Sequence, residues 1–173
     1  MSRITRPSII DVEASGFGSE SYPIEIGVVL TSGERHCSLI LPVPEWTHWD
    51  AQAAKVHGIT RAFLKRNGRP VTEVAQALNS LIGDRIVYSD GWGVDLRWIT
   101  KLFYTAGIYQ QFKVSALENI LSEAQMNIWH ETKDQVISGN HFKRHRATND
   151  AVIVQETYVR TLMALLKDPS TVL

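Results

Sequence analysis

The sequence has a single cysteine, Cys37, which excludes an internal disulfide and a cysteine-based zinc site. It also lacks a charge of one sign: Lys and Arg total 18, and so do Asp and Glu. Global charge therefore cannot hold the protein on a polyanion or a membrane surface. Nucleic-acid binding, if present, must rest on local basic groups or on metal ions. No apolar run approaches the ~18 residues of a membrane span. Met1 to Pro7 is basic, but the apolar stretch after it, Ser8 to Val12, is short and runs into Asp11 and Glu13. No signal peptide is expected, and the expected compartment is the cytoplasm. Internal repeats, low-complexity tracts and linkers are absent too. With 44% hydrophobic and 21% charged residues, the 173-residue chain reads as one globular domain over residues 1–173.

Three strands open the chain. Ser8–Val12 is short and β-branched, Ile24–Leu30 follows, and Ser32-Gly33 turns into Arg35–Leu41. Short links between them predict an antiparallel meander. Pro42 and Pro44 end it. Helices are then predicted at Asp50–Val56, at Thr72–Ile82 with Thr72 as N-cap, at Leu96–Ala106, at Leu117–Leu121, near Gln125–Ile137, and at Asp150–Leu166. Strands are predicted at Arg85–Tyr88 and Phe112–Ser115. The order predicts an α/β domain with a mixed sheet, three antiparallel strands and then parallel ones, flanked by helices. Ser138–Arg146 is the longest polar stretch and reads as a mobile loop. The Lys65–Arg69 cluster reads as a solvated turn.

The chemistry-bearing residues fall in three places. Asp11 and Glu13 lie at i and i+2 of the first strand, a spacing that puts both on one side of a sheet. Two such acids repel unless a cation lies between them; a solvated strand end carrying two chance acids is the alternative. His145 and Asp150 are five positions apart at the start of the last helix, where Asp150 also reads as an ordinary cap. Asp95 follows a predicted strand and opens a helix, which again fits an N-cap.

In this order the segments resemble the DnaQ-like 3′–5′ exonucleases of the DEDDh type, a branch of the ribonuclease-H-like fold. Asp11-Val-Glu13-Ala-Ser-Gly16 matches the first motif, and Ile24 to Gly27 matches the Ile-Glu-Ile-Gly strand of relatives. Asp90-Gly-Trp-Gly-Val-Asp95 fills the place of the second, and His145 to Asp150 is the third, His-x4-Asp. Val56-His57-Gly58-Ile59-Thr60 resembles a further family segment. The likeness runs from about Ile9 to Thr161. It departs from pattern in the second motif, where Asp90 and Gly91 stand for the usual His and Asn; a misread register would make Asp90 the alternative carboxylate.

The resemblance implies a metal-dependent exonuclease that removes nucleoside 5′-monophosphates from the 3′ end of single-stranded RNA or DNA. It implies two ions, Mg²⁺ or Mn²⁺, held by Asp11, Glu13, Asp95 and Asp150, with Asp11 bridging. It makes His145 the general base, a role suited to a group that titrates at ~6.5. Ser15, Gly16, Phe17, Trp92 and Arg146 are the candidate substrate contacts, Phe17 or Trp92 as a wedge or stacking face for the terminal base. Lys143 and Arg144 are further candidates for phosphates. His57 is expected to hold a loop beside the site; His36, His48, His130 and His141 are expected to be structural or solvated. A homodimer, common among relatives, is left open. Two other readings compete: a non-catalytic nucleic-acid-binding domain on the same fold, and a ribonuclease-H-like endonuclease. The retained acids and histidine argue against the first, and His-x4-Asp on the last helix argues against the second.

Overall fold

A computed structural model describes residues 5–139 and 143–167. His141 and the centre of the expected 138–146 loop lie outside the described residues. Five strands form one sheet: β1 (Ile9–Ala14), β2 (Pro23–Val29), β3 (Arg35–Leu39), β4 (Ile86–Ser89) and β5 (Lys113–Ala116). The order across the sheet is β3-β2-β1-β4-β5. β1 pairs antiparallel with β2 and β2 with β3, whereas β1–β4 and β4–β5 are parallel. This is the mixed sheet that the element order predicts. The helices are α1 (Ala51–His57), α2 (Arg61–Asn67), α3 (Val71–Ile82), α4 (Trp92–Ala106), α5 (Glu123–Gly139) and α6 (Ala147–Lys167), with a short 3₁₀ turn at Leu117–Ile120.

Several boundaries differ from expectation, each for a local reason. The Lys65–Arg69 cluster is mostly helix, not turn, because the Thr60 hydroxyl accepts the Phe63 N–H and caps α2. Thr72 is not the cap of α3; the helix enters from Pro70, whose fixed φ suits a helix start. α4 and α6 each begin about a turn before the expected start. Asp95 and Asp150 therefore lie inside first turns rather than at caps. Ser138 and Gly139 end α5 instead of opening a loop.

Strand alternation sorts β1 into two faces. Ile10, Val12 and Ala14 join the larger core, with Val74 and Leu78 of α3 and Trp98, Ile99 and Leu102 of α4. Ile9 joins the second core, with Trp129 of α5 and Ala151, Val152 and Val154 of α6. Asp11 and Glu13 share the Ile9 side, so the acid pair projects toward α6. All seven residues of β2 are buried, as expected for a strand covered on both faces.

Gly27 sets how closely α6 approaches. A Cβ added there would lie 2.1 Å from the Thr148 amide nitrogen and 2.2 Å from the Ala147 carbonyl carbon. Backbone lies directly on backbone, and only glycine leaves the room. Gly27→Ala is thus expected to force α6 off the sheet, at about 3 kcal/mol, the upper end of overpacking costs. Urea unfolding measures this, and a loss below about 1 kcal/mol would mean that the contact yields easily.

Candidate active site

The acids of the three sequence segments meet at the C-terminal end of β1. Asp11 and Glu13 come from the α6 side of β1, Asp150 from the first turn of α6, and Asp95 from the first turn of α4. Ligand atoms of Glu13, His145 and Asp150 all lie within 4.8 Å of one another. Asp95 is buried. The Ser89 hydroxyl donates to its Oδ2 at 2.6 Å, and the Val12 backbone amide also bonds it. The Asp95 charge acts directly on Asp11. Asp90, the alternative carboxylate, is held elsewhere: Lys133 of α5 donates to it at 2.6 Å.

A cavity of about 480 Å³ opens over this cluster. Its lining includes Asp11, Glu13, His145 and Asp150, together with Gly16, Phe17, Val56, His57, Val94 and Trp98. Phe17 is 68% exposed at its rim. The other expected contacts sit differently. Ser15 is buried, bonding the His48 ring at 3.3 Å and accepting the Tyr22 N–H at 3.1 Å. Trp92 donates to the Val114 carbonyl outside the cavity. Arg146 turns inward to Glu25 of β2. His48 is thus structural, as expected, and His57 Nδ1 accepts the Ile59 N–H, fixing the turn at Gly58.

Two features escape sequence reading. His57 Nε2 and Trp98 Nε1 are buried without a hydrogen-bond partner among the described residues, and both residues line the cavity. Glu25 is the other. A single acid inside an otherwise apolar strand is a readable signal, because a buried carboxylate demands a partner. The partner, however, is 121 positions away.

Electrostatics make the cluster receptive to cations. Burial pushes the Asp11 carboxyl well above the usual range, and Asp95, Glu13 and Asp150 add to the rise. Glu13 is pushed up to about 7, first by burial and then by Asp150 and Glu25, with Arg146 opposing. Asp95 also rises to about 7 by burial, against the Ser89 bond. Hard oxygen donors that repel one another in a partly dry site suit Mg²⁺ or Mn²⁺. The residues present therefore fit the divalent ions that the resemblance implies.

The site is a pocket lined by three acids and one histidine on a mixed sheet, with a fourth acid, Asp95, buried beside Asp11. The chain belongs to the exonuclease family: the RNase T family model, described as Exonuclease, matches residues 8–158. This places it among the DnaQ-like proteins of the ribonuclease-H-like superfamily. The fold is shared with the zinc-bound E. coli exonuclease I–single-stranded DNA complex at 13% identity and a TM-score of 0.70, over 95% of this chain and 43% of that one. It is also shared with E. coli exonuclease I bound to a dA16 oligonucleotide (12% identity, TM-score 0.67, 95% and 43% covered). A product-bound exonuclease I is similar as well (12% identity, TM-score 0.66, 95% and 46% covered). The chain spans less than half the length of these structures. No curated protein matches it in sequence.

Raised carboxyl pKa values imply a definite stability profile. Protons bind more tightly to the folded state, so the cluster stabilises the fold at acid pH. That contribution is lost as pH rises through about 7, the value of Glu13 and Asp95. In chelator, the thermal midpoint should fall from pH 5 to pH 8, and Mg²⁺ should restore more at pH 8 than at pH 5. Asp11→Asn should raise the metal-free midpoint at pH 8. Equal Mg²⁺ effects at both pH values would count against the cluster as the ion site.

Proposed function

We propose that this protein is a metal-dependent 3′–5′ exonuclease acting on single-stranded nucleic acid and releasing nucleoside 5′-monophosphates. One observation carries the reading: Asp11, Glu13, Asp150 and His145, distant in sequence, line one cavity, with Asp95 beside them. Asp11, Glu13, Asp95 and Asp150 would hold two divalent ions, Mg²⁺ or Mn²⁺. When bound, such ions supply Lewis-acid stabilisation of charge on a phosphoryl group.

His145 accepts a proton from the attacking water at a ring nitrogen. The water oxygen bonds to the phosphorus of the terminal nucleotide, and the bond from phosphorus to the preceding 3′ oxygen breaks. That oxygen takes a proton from solvent water and leaves as the new 3′ hydroxyl. Phe17, Val56 and Val94 offer apolar surface to the terminal nucleoside. The N–H donors of His57 and Trp98, unpartnered among the described residues, are suited to its sugar or base acceptors. An apolar rim of this kind favours unpaired bases, whose faces are open for stacking. The solved exonuclease I complexes with single-stranded oligonucleotides support the same substrate form.

Two experiments test the reading. On an end-labelled oligonucleotide with Mg²⁺, Asp11→Asn and Asp95→Asn should abolish the product ladder, whereas Asp90→Asn should retain activity. His145→Ala should slow cleavage by ~10²–10⁴-fold while metal binding persists. Normal cleavage by Asp11→Asn would remove it from the ion site.

The second experiment compares substrates. A single strand should be digested faster than the same sequence in a blunt duplex, because an unpaired end needs no melting to reach the cavity. Binding should depend weakly on salt, since a chain without net positive charge neutralises few phosphates. A circular single strand should resist. Cleavage of the circle would favour the endonuclease reading, and faster digestion of the duplex would overturn the preference for single strands.

A further inference from the structure

Glu25 lies in the middle of β2 with no solvent exposure. A carboxylate there is tolerated only if its charge is paired and its oxygens are bonded. Arg146 Nε donates to both oxygens at 3.0 Å, and a second guanidinium nitrogen donates to Oε1. The Ala147 backbone N–H donates to Oε2 at 2.9 Å, and the Cys37 thiol reaches Oε1 at 3.4 Å. All but the thiol come from the two residues directly after His145.

His145 needs such support. Its backbone has φ +60°, in the left-handed region, and it is the only described non-glycine residue there. Such a conformation persists where the surroundings over-determine it. Asp150 has its own support, because Ala151, Val152, Ile153 and Val154 after it are all buried, three of them in the core that Ile9, Val29 and Trp129 share. His145 precedes the helix and is exposed, and its backbone N–H donates to Asp150 Oδ2 at 3.0 Å. It is held on its upstream side by Arg144, whose Nε donates to Asp150 at 2.9 Å. On its downstream side the hold is the Glu25–Arg146 pair.

We propose that Glu25, through its two-pronged pair with Arg146, is a positioning residue that sets His145 over the acid cluster. The inference rests on the reading of His145 as the general base. Glu25 itself does not line the cavity, so its influence on the reaction would pass through Arg146 and the His145 backbone.

The test is a double-mutant comparison on a labelled single strand, with Mn²⁺ binding followed by calorimetry. Glu25→Gln should lower kcat roughly 10–100-fold, the scale of a misplaced reacting group, with KM and Mn²⁺ affinity changed by less than about threefold. In a His145→Ala background, where no base is left to place, the same substitution should lower kcat by less than about threefold. Equal losses in the two backgrounds, or an unchanged kcat in Glu25→Gln, would overturn the positioning role alone. An unchanged rate in His145→Ala by itself would sink the reading of His145 as base and the proposal with it. Should Glu25→Gln fail to fold, Arg146→Lys keeps the charge opposite Glu25 but not the fork, and the same dependence on background is read there.

Discussion

The docking of the first turn of α6 on the middle of β2 is the contact on which the site depends. Two residues of one strand, Glu25 and Gly27, share a face and act on consecutive residues of the helix. Glu25 binds Arg146 and the Ala147 amide, and Gly27 leaves room for Ala147 and Thr148. Thr148 adds a bond to the His36 carbonyl of β3. The helix is seated further along by Ala151, Val152 and Val154 in the core with Ile9 and Val29, and Asp150 emerges beside Glu13, the register partner of Glu25 across β1 and β2. A chain segment more than 120 positions away is thus brought to the first strand by apolar packing, backbone contact and one buried ion pair.

The same face carries two kinds of acid with opposite electrostatics. Burial alone would raise Glu25, yet the bonds from Arg146 and Ala147 outweigh it and hold its carboxyl below the usual range. Glu13, one strand over, has no such bonds among the described residues, and burial raises it to about 7 against the pull of Arg146. The difference is function-bearing. An acid already neutralised by arginine has no need of a cation, whereas acids left to repel one another gain most from one. On the proposed reading, a chain with no net charge would hold a polyanion this way, the attraction coming from ions held by the cluster rather than from the surface.

Much of this was legible in the sequence. The i, i+2 spacing of Asp11 and Glu13 fixes their common face, and the hydrophobic alternation of Ile9 to Ala14 fixes which residues join the core. The start of α6 was harder, since Thr148, Asn149 and Asp150 are all good caps and the helix in fact begins before them. Helix α2 was hidden because its basic residues mimic a turn. The inward role of Ser15 and Arg146 was not readable at all: a polar residue beside a motif looks alike whether it faces ligand or protein, and only the long-range partners, Tyr22 and His48 for one and Glu25 for the other, decide it.

The departure in the second motif finds its physical account in Lys133. With Asp90 in place of the usual histidine, a fifth acid stands near Asp11 and adds to its repulsion. Left unpaired, it would compete with Asp95 for a cation. The Lys133 ammonium at 2.6 Å engages Asp90 from α5, while Ser89 and Val12 hold Asp95 toward Asp11. The two acids are therefore sorted by their neighbours rather than by their sequence positions. The one paired with an ammonium is tied to the outer helix, and the one bonded by the neutral donors Ser89 and Val12 is buried beside Asp11. That sorting supports the proposed reading, in which Asp95 is the second-motif carboxylate.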